Sequence, residues 1–196
     1  GVRRMSVKPG DVLPIRDIKV EVVTARGEHI AKPLKGAGKK NPNCGEEKKK
    51  DDPSENARSV GVLVSYGKFR FVDLGDLTWN KEIEIACPEH FIGSVDLYLT
   101  THHGLDQSGC KAIVHGLKPR VAIMNNGARK GGSPSAWNVV STSPGLADLW
   151  QLHYSVAGGK TQNVPEDRLA NLEEKCQGQG ILVKAEKNRV FSVTNL

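Results

Sequence analysis

The chain has 196 residues, 38% of them hydrophobic and 26% charged, a composition typical of one globular domain with a real core. No run of about 18 apolar residues occurs, so the sequence predicts no membrane-spanning helix. The formal net charge of +6 permits attraction to nucleic acid or another polyanion, with a plain solvated surface as the alternative, and it does not specify a fold.

The first third of the chain predicts strands around a long polar insertion. Residues 17–24, DIKVEVVT, alternate apolar and polar side chains, as a half-buried strand does. A stretch at about 25–56, rich in Gly, Lys, Asn, Pro and Asp, is too long for a plain connection. We expect a surface excursion there, either mobile or flanking a site. Residues 59–76 then predict a hairpin that turns at 66–68.

The rest of the chain alternates predicted strands and helices, which indicates a layered α/β domain. The predicted elements are a strand in VDLYLTT, a helix in QSGCKAIVHGL capped by Ser108, a strand in RVAIMNN buried on both faces, two short helices opened by Ser133-Pro134 and Ser143-Pro144, a strand in QLHYSV, an amphipathic helix in PEDRLANLEEKC, and a closing hairpin around Lys187-Asn188.

The four cysteines lack the CxxC spacing of a zinc ribbon. Cys110 and Cys176 lie among helix-like residues, so we expect inert core thiols there. Cys44 and Cys87 lie in loops beside prolines, and two alternatives stay open for them. They are either free thiols or a disulfide, and a disulfide would indicate a secreted or periplasmic protein.

Two predicted strands end in residues that carry chemistry. The first runs into Asp73 and then Gly75-Asp76, and the second ends in His102 and His103. Carboxylate and imidazole groups are ligands for zinc, manganese or iron, and catalytic groups of α/β domains gather where strands end. The residues taken alone also fit a plain turn aspartate and a pair of surface histidines.

A strand ending in LGDL, followed about 25 residues later by a strand ending in THHG, resembles the C-terminal half of the metallo-β-lactamase superfamily. The nearest branch is related to the hydrolase domain of DNA-uptake competence proteins. The stretch from about Glu55 to Pro134 carries the resemblance, including ENARS and NNGARKGGSP. It implies that residues 1–196 form the C-terminal part of a single domain. That part would be half of an αββα sandwich, with a mixed sheet and flanking helices.

The resemblance also implies roles for the residues at the two strand ends. Asp76 would bridge two divalent metal ions, zinc first, with manganese or iron as alternatives. His103 is favoured as a metal ligand, and His102 as the catalytic group that binds or protonates the substrate. The sequence leaves the choice between the two histidines open. Metal-bound hydroxide would then attack an ester-like centre. The competence-protein resemblance and the positive charge favour a phosphodiester, and cleavage of a lactam or thioester is the alternative.

The loop MNNGARKGGSP is the candidate substrate-binding segment. Asn125 and Asn126 would donate hydrogen bonds, and Lys130 would meet an anionic group of the substrate. The glycines of this loop would let the backbone approach a ligand closely. An ordinary glycine-rich turn is the alternative.

The superfamily's HxHxDH motif, which supplies most of the metal ligands, is missing, because the chain contains no HxH. Asn56 or Ser59 stands near the place of another histidine found in many members. We therefore expect the missing N-terminal half in the same polypeptide, as the abrupt start at Gly1 suggests, or in a partner chain; this chain alone would be inactive. Two alternatives are a non-catalytic basic module that binds nucleic acid or another polyanion, and a purely structural domain.

Overall fold

The computed structural model describes residues 4–196, and Gly1 lies outside the described residues. The described part forms a mixed nine-stranded sheet, a separate two-stranded hairpin and three short α-helices. The predicted α/β class, with a mixed sheet and flanking helices, is confirmed.

The strands are β1 (Val12–Leu13), β2 (Lys19–Ala25), β3 (Glu28–His29), β4 (Gly61–Tyr66), β5 (Phe69–Asp73), β6 (Leu97–Leu99), β7 (Val121–Met124), β8 (Asp148–His153), β9 (Leu169–Asn171), β10 (Ile181–Ala185) and β11 (Phe191–Asn195). The helices are α1 (Trp79–Ala86), α2 (Lys111–Leu117) and α3 (Pro134–Ser141). Between residues 4 and 196 the longest helix has eight residues, too short to cross a bilayer.

The sheet order is β1-β2-β4-β5-β6-β7-β8-β9, with β3 added beside β2. The pairs from β1 to β5 are antiparallel, and those from β5 to β9 are parallel. The helices α1, α2 and α3 connect successive strands of the parallel part. Because parallel strands end at the same edge of a sheet, the loops after β5, β6 and β7 meet there.

Side chains alternate between two apolar layers along the central strands. In β6, Tyr98 packs in the core beneath the helices, whereas Leu97 and Leu99 pack on the opposite face against the β10–β11 hairpin. In β7, Ala122 packs in the core beneath the helices, and Ile123 packs on the face that the hairpin covers. This period of two, with both faces covered, explains why β7 is a continuous apolar run, as predicted.

Several predicted elements are confirmed. The hairpin within 59–76 is formed by β4 and β5, joined at Gly67 and Lys68. The closing hairpin is formed by β10 and β11. Ser133 is the N-cap residue of α3, and Pro134 opens the helix, a position where the missing proline N–H costs nothing.

Other predicted elements are wrong. The helix in 165–176 is replaced by one 3₁₀ turn at Glu166–Arg168 and by β9, whose buried residues are Leu169 and Asn171. Ser143-Pro144 opens a turn instead of a helix. Cys110 rather than Ser108 is the N-cap residue of α2. The helix α1 is not among the predicted elements.

The polar excursion is tied to the core, and a disulfide between Cys44 and Cys87 is one of its anchors. The buried side chain of Asn41 is another, because its Nδ2 donates to the carbonyls of Ala86 and Ala112 at 2.9 and 2.8 Å. Of the remaining cysteines, Cys110 is buried as predicted. The prediction of a core thiol is wrong for the exposed Cys176.

Two buried titratable groups in the helix layer have pKa values displaced in opposite directions. Burial raises the pKa of Glu82 from 4.5 to about 7, although one carboxylate oxygen accepts from the backbone N–H of Cys110 at 3.0 Å. Burial lowers the pKa of His90 from 6.5 to about 4. Its Nδ1 accepts from the N–H of Gly93 and its Nε2 lies 3.3 Å from the carbonyl of Ile113, so the neutral ring satisfies both contacts.

We expect the substitution Glu82→Gln to change the pH dependence of stability. Since the folded-state pKa of Glu82 is raised, its contribution to stability is complete below pH 4.5 and is lost as pH rises to about 7. The contribution of His90 to stability has the opposite pH dependence, because it increases as pH rises from 4 to 6.5. The quantity to measure is therefore the difference in free energy of unfolding between Glu82→Gln and wild type at each pH. In urea unfolding, the stability of Glu82→Gln relative to wild type should increase by about 3 kcal/mol between pH 4.5 and 7.

The control is Glu84→Gln, which removes a partly exposed carboxylate from the same helix. A stability difference between Glu82→Gln and wild type that stays constant with pH would contradict the prediction.

Candidate active site

The loops after β5 and β6 meet through backbone contacts. Gly75 has a φ of +59°, a left-handed conformation that glycine adopts without strain, and its carbonyl accepts from the N–H of His102 at 2.9 Å. His102 and His103 are also left-handed, with φ values of +52° and +59°. For non-glycine residues this costs about 1–2 kcal/mol each, and such strain persists only where surrounding contacts fix it.

The glycine-rich loop after β7 supplies those contacts. The N–H of Gly132 donates to the carbonyl of His103 at 3.0 Å, and the N–H of Ser133 donates to the carbonyl of Gly104 at 2.8 Å. A Cβ atom on Gly131 would lie 2.1 Å from the carbonyl oxygen of His103, so only glycine fits there. In this structure the backbone of this loop lies close to the histidine turn, and its predicted approach to a ligand stays a prediction.

The carboxylate of Asp76 faces both histidines, each through a different oxygen. Its Oδ1 lies 3.4 Å from Nε2 of His103, and its Oδ2 lies 4.0 Å from Nε2 of His102. The side chains of Asp76 and His103 are 33% and 31% exposed, so a substrate or ion reaches both, whereas that of His102 is 5% exposed. The structure therefore brings together three residues that the sequence predicts as site residues.

The ring of His103 is oriented by Asn125. Its Nδ1 lies 3.1 Å from the backbone carbonyl of Asn125, which only accepts, and 3.3 Å from the side-chain Nδ2 of the same residue, which only donates. These contacts fix the ring so that its Nε2 faces Asp76. The Asn125 side chain is held in turn by the hydroxyl of Thr100, which donates to its Oδ1 at 3.2 Å. Such a carbonyl–imidazole contact is typical of histidines that bind metals.

His102 is surrounded by polar groups from three segments. Its Nδ1 lies 3.3 Å from the hydroxyl of Ser108, and its Nε2 lies 3.4 Å from the side-chain amide of Asn56. Burial lowers the pKa of His102, and the neighbouring charge of Asp76 opposes that shift. The positive charge of Lys130 lowers the pKa further.

The three predicted substrate-binding residues lie in different surroundings. Lys130 is exposed at the margin of the site. Asn125 is half-buried and contacts His103, as described above. Asn126 is buried, and its Nδ2 donates to the carbonyls of Gly127 and His153 at 3.1 and 2.8 Å. The substrate contacts of all three residues stay predictions, and the contacts of both asparagines in this structure are structural.

A groove of about 340 Å³ lies beside the site. One wall is Trp79, and the other is the segment 49–53 of the polar excursion. Asn80 fixes this segment, because its Oδ1 accepts from the N–H of Lys49 at 2.9 Å and its Nδ2 donates to the Lys49 carbonyl at 2.8 Å. The ammonium group of Lys49 stacks on the Trp79 ring, 3.6 Å from its centroid. The excursion therefore flanks the site.

Two residues that contact the site were not predicted from the sequence. Ser108, which was predicted to cap a helix, contacts His102, and Thr100 holds the side chain of Asn125. Neither belongs to the GD and HHG motifs, and the signal for both is their proximity in sequence to His102. Asp52, from the excursion, also lies near enough for its charge to act on His102. Hydrogen bonds from Ser54 lower the pKa of Asp52, which keeps this carboxylate ionised.

The residues present fit part of a metal centre. The 3.4 Å between Asp76 and His103 is long for a hydrogen bond. It is close to the roughly 3.3 Å expected between two ligands of one tetrahedral zinc ion. In residues 4–196, no group of three or more histidine, cysteine, aspartate or glutamate side chains is arranged to hold a metal ion. The pair therefore supplies fewer than the three protein ligands of a catalytic zinc site.

The chain matches no protein-family model and no curated protein. The resemblance to the metallo-β-lactamase superfamily therefore stays a prediction from the GD and HHG motifs.

Proposed function

We propose that this chain is the C-terminal part of a metal-dependent hydrolase of metallo-β-lactamase fold, acting on phosphodiesters. The observation that carries the proposal is the convergence of Asp76, His102 and His103, in which each oxygen of one carboxylate faces a different imidazole Nε2. A carboxylate that bridges two cations has this arrangement. The α/β architecture, with the site where parallel strands end, is compatible with it.

In this proposal Asp76 and His103 hold the divalent cation, and Asn125 orients His103 through its carbonyl. A bound cation lowers the pKa of water and polarises an ester oxygen. The left-handed turn at His102 and His103 is tied to the loops after β5 and β7, so the imidazoles are positioned before a ligand arrives. The remaining ligands come from the N-terminal half, in the same polypeptide or a partner chain.

The charge around the site supports a phosphodiester substrate. Lys130 stands exposed at its margin, and Lys49 and Lys50 line the adjoining groove. Asp51 and Asp52 also line that groove, and their negative charges offset part of the positive charge of the lysines. An anion is therefore attracted only close to the lysine side chains. The chain alone is expected to be inactive on phosphodiesters because its ligand set is incomplete.

Zinc binding tests the proposal directly. After dialysis against zinc, we expect elemental analysis and calorimetric titration to show weak binding to the wild-type chain. Asp76→Asn should weaken that binding at least about tenfold, because one of the two protein ligands that hold the cation loses its charge.

The matched control for this experiment is Asp106→Asn, an exposed aspartate two residues past Gly104 in the loop that follows the histidine turn. Equal zinc affinity for Asp76→Asn and wild type, or no zinc bound to wild type, would refute the metal centre in this chain.

A non-catalytic polyanion-binding module is the second candidate, and the exposed run Lys48–Lys50 beside the groove favours it. Fluorescence anisotropy with single-stranded DNA distinguishes the two. Binding that falls steeply with salt and is unchanged by EDTA or by Asp76→Asn would support the module over the hydrolase.

We also infer that the protein works outside the cytosol. The support is the Cys44–Cys87 disulfide, which is compatible with an extracellular or periplasmic location because disulfides persist in oxidising compartments.

A further inference from the structure

We infer that Ser108 is a positioning residue that fixes the tautomer of His102, with the proton on Nδ1 and the electron pair on Nε2. The use made of that electron pair rests on the proposed function, whereas the tautomer itself does not.

The hydroxyl of Ser108 has a single proton, and that proton is committed. It is donated to the backbone carbonyl of Leu77, with an Oγ–O distance of 2.6 Å. Carbonyl oxygens only accept, so the direction of this hydrogen bond is fixed. Towards Nδ1 of His102, 3.3 Å away, Ser108 therefore presents an oxygen lone pair. The stable partner for that lone pair is an N–H, which places the imidazole proton on Nδ1.

The contact is built into the fold. Ser108 is 1% exposed, so water does not compete for its hydroxyl. The N–H of Ser108 donates to the carbonyl of Leu105, and the N–H of Leu105 donates to the carbonyl of His102. Leu77 directly follows Asp76. One hydroxyl therefore connects the loop that carries the carboxylate to the ring that faces it.

The consequence concerns the other nitrogen. With Nδ1 protonated, Nε2 of the neutral ring presents an electron pair towards Oδ2 of Asp76 and towards the side-chain amide of Asn56. His102 therefore presents a hydrogen-bond acceptor at Nε2, the nitrogen nearest to Asp76. A His102 that donates a proton to the substrate from Nε2, as predicted from the sequence, does not fit this tautomer.

The tautomer is measured directly by NMR on the intact chain labelled with ¹⁵N-histidine, at pH 8 with EDTA present. Long-range ¹H–¹⁵N correlations should give His102 a pyrrole-type Nδ1 and a pyridine-type Nε2. In Ser108→Ala the lone pair is lost, and we expect the His102 signals to shift towards the Nε2–H form. Ser143→Ala is the matched control, because Ser143 is also buried and its hydroxyl donates to a carbonyl, that of Val114.

An Nε2–H form of His102 in the wild-type chain would overturn the inference, and this result needs no variant to fold. Unchanged His102 shifts in Ser108→Ala would overturn it as well. The zinc titration separates this inference from the proposed function. If wild type binds zinc through Asp76 and His103, Ser108→Ala should bind it with nearly the wild-type affinity, because Ser108 contacts His102 and neither of these ligands. If wild type binds none, the proposed function fails while the tautomer measurement still decides the role of Ser108.

Discussion

Replacing both Cys44 and Cys87 by serine should lower the free energy of unfolding by about 4 kcal/mol. The disulfide closes a loop with a sequence separation of 43 residues, and the chain-entropy model gives about 4 kcal/mol for a loop of that length. The loop includes the last part of the polar excursion, residues 44–56, in which no side chain is buried. The covalent bond therefore stabilises a part of the chain that burial of apolar surface stabilises little.

The measurement is urea unfolding of the double variant and of wild type with and without reductant. Cys176→Ser is the control, because Cys176 is an exposed free thiol, and its substitution should change stability by less than about 0.5 kcal/mol. A loss below about 1 kcal/mol in the double variant would show that the hydrogen bonds of Asn41 suffice to hold the excursion.

The disulfide also bears on the candidate site, because the excursion leads into it. The segment that follows Cys44 carries Asp52 and Asn56, and both lie close to His102. We therefore expect the His102 and His103 signals of the double variant to broaden or shift in the NMR experiment, even where the sheet stays folded.

The sequence predicted the elements in which local pattern and tertiary environment agree. The turn between β4 and β5 contains Gly67 with a φ of +60°, and β7 is apolar because both of its faces are covered. The grouping of Asp76 with His102 and His103 was predictable as well, because carboxyl ends of parallel strands meet at one edge of a sheet.

The failures come from tertiary contacts that override local pattern. The segment 165–176 has helical spacing, but Leu169 and Asn171 are buried beside β8 with the period of a strand. The Asn171 side chain secures this pairing through the carbonyls of Leu152 and Gln179. No window of local sequence contains β8, so propensity alone could not predict β9.

The same limit applies to the site. Ser108 precedes α2 and has the residue type of a helix cap, yet its hydroxyl donates to Leu77, 31 residues earlier. Asn126 follows a strand that leads into the site and appears available to a substrate, yet its amide is buried against His153. Which way a side chain points at a strand end depends on the next strand in the sheet, and that is a property of the fold.

Asp96→Ala should lower the free energy of unfolding by about 3 kcal/mol, because three donors lose their hydrogen bonds to one buried carboxylate. The Asp96 side chain is 1% exposed, and its Oδ2 accepts from the backbone N–H of Arg70 at 3.0 Å. Its Oδ1 accepts from Arg120 at 3.3 Å and from Arg189 at 2.8 Å. Removing it leaves the N–H of the half-buried Arg70 and two half-exposed arginines without their shared partner.

The ion pair between Asp96 and Arg189 connects the main sheet to the β10–β11 hairpin. Arg189 lies in the turn between β10 and β11, whereas Asp96 directly precedes β6 in the main sheet. The carboxylate therefore anchors the hairpin that covers Leu97 and Leu99. In Asp96→Ala, amide hydrogen exchange should accelerate first in β10 and β11, before the central strands.

The matched control is Asp148→Ala, which removes the ion pair between Asp148 and Arg168. The Asp148–Arg168 pair is as short, at 2.7 Å, but the side chain of Asp148 is 38% exposed and that of Asp96 only 1%, so water screens the Asp148 pair in the folded protein. The expected cost is below about 1 kcal/mol. Equal losses for the two variants would mean that burial of Asp96 adds nothing. If Asp96→Ala lowers stability without faster amide exchange in β10 and β11, Asp96 stabilises the main sheet and does not anchor the hairpin.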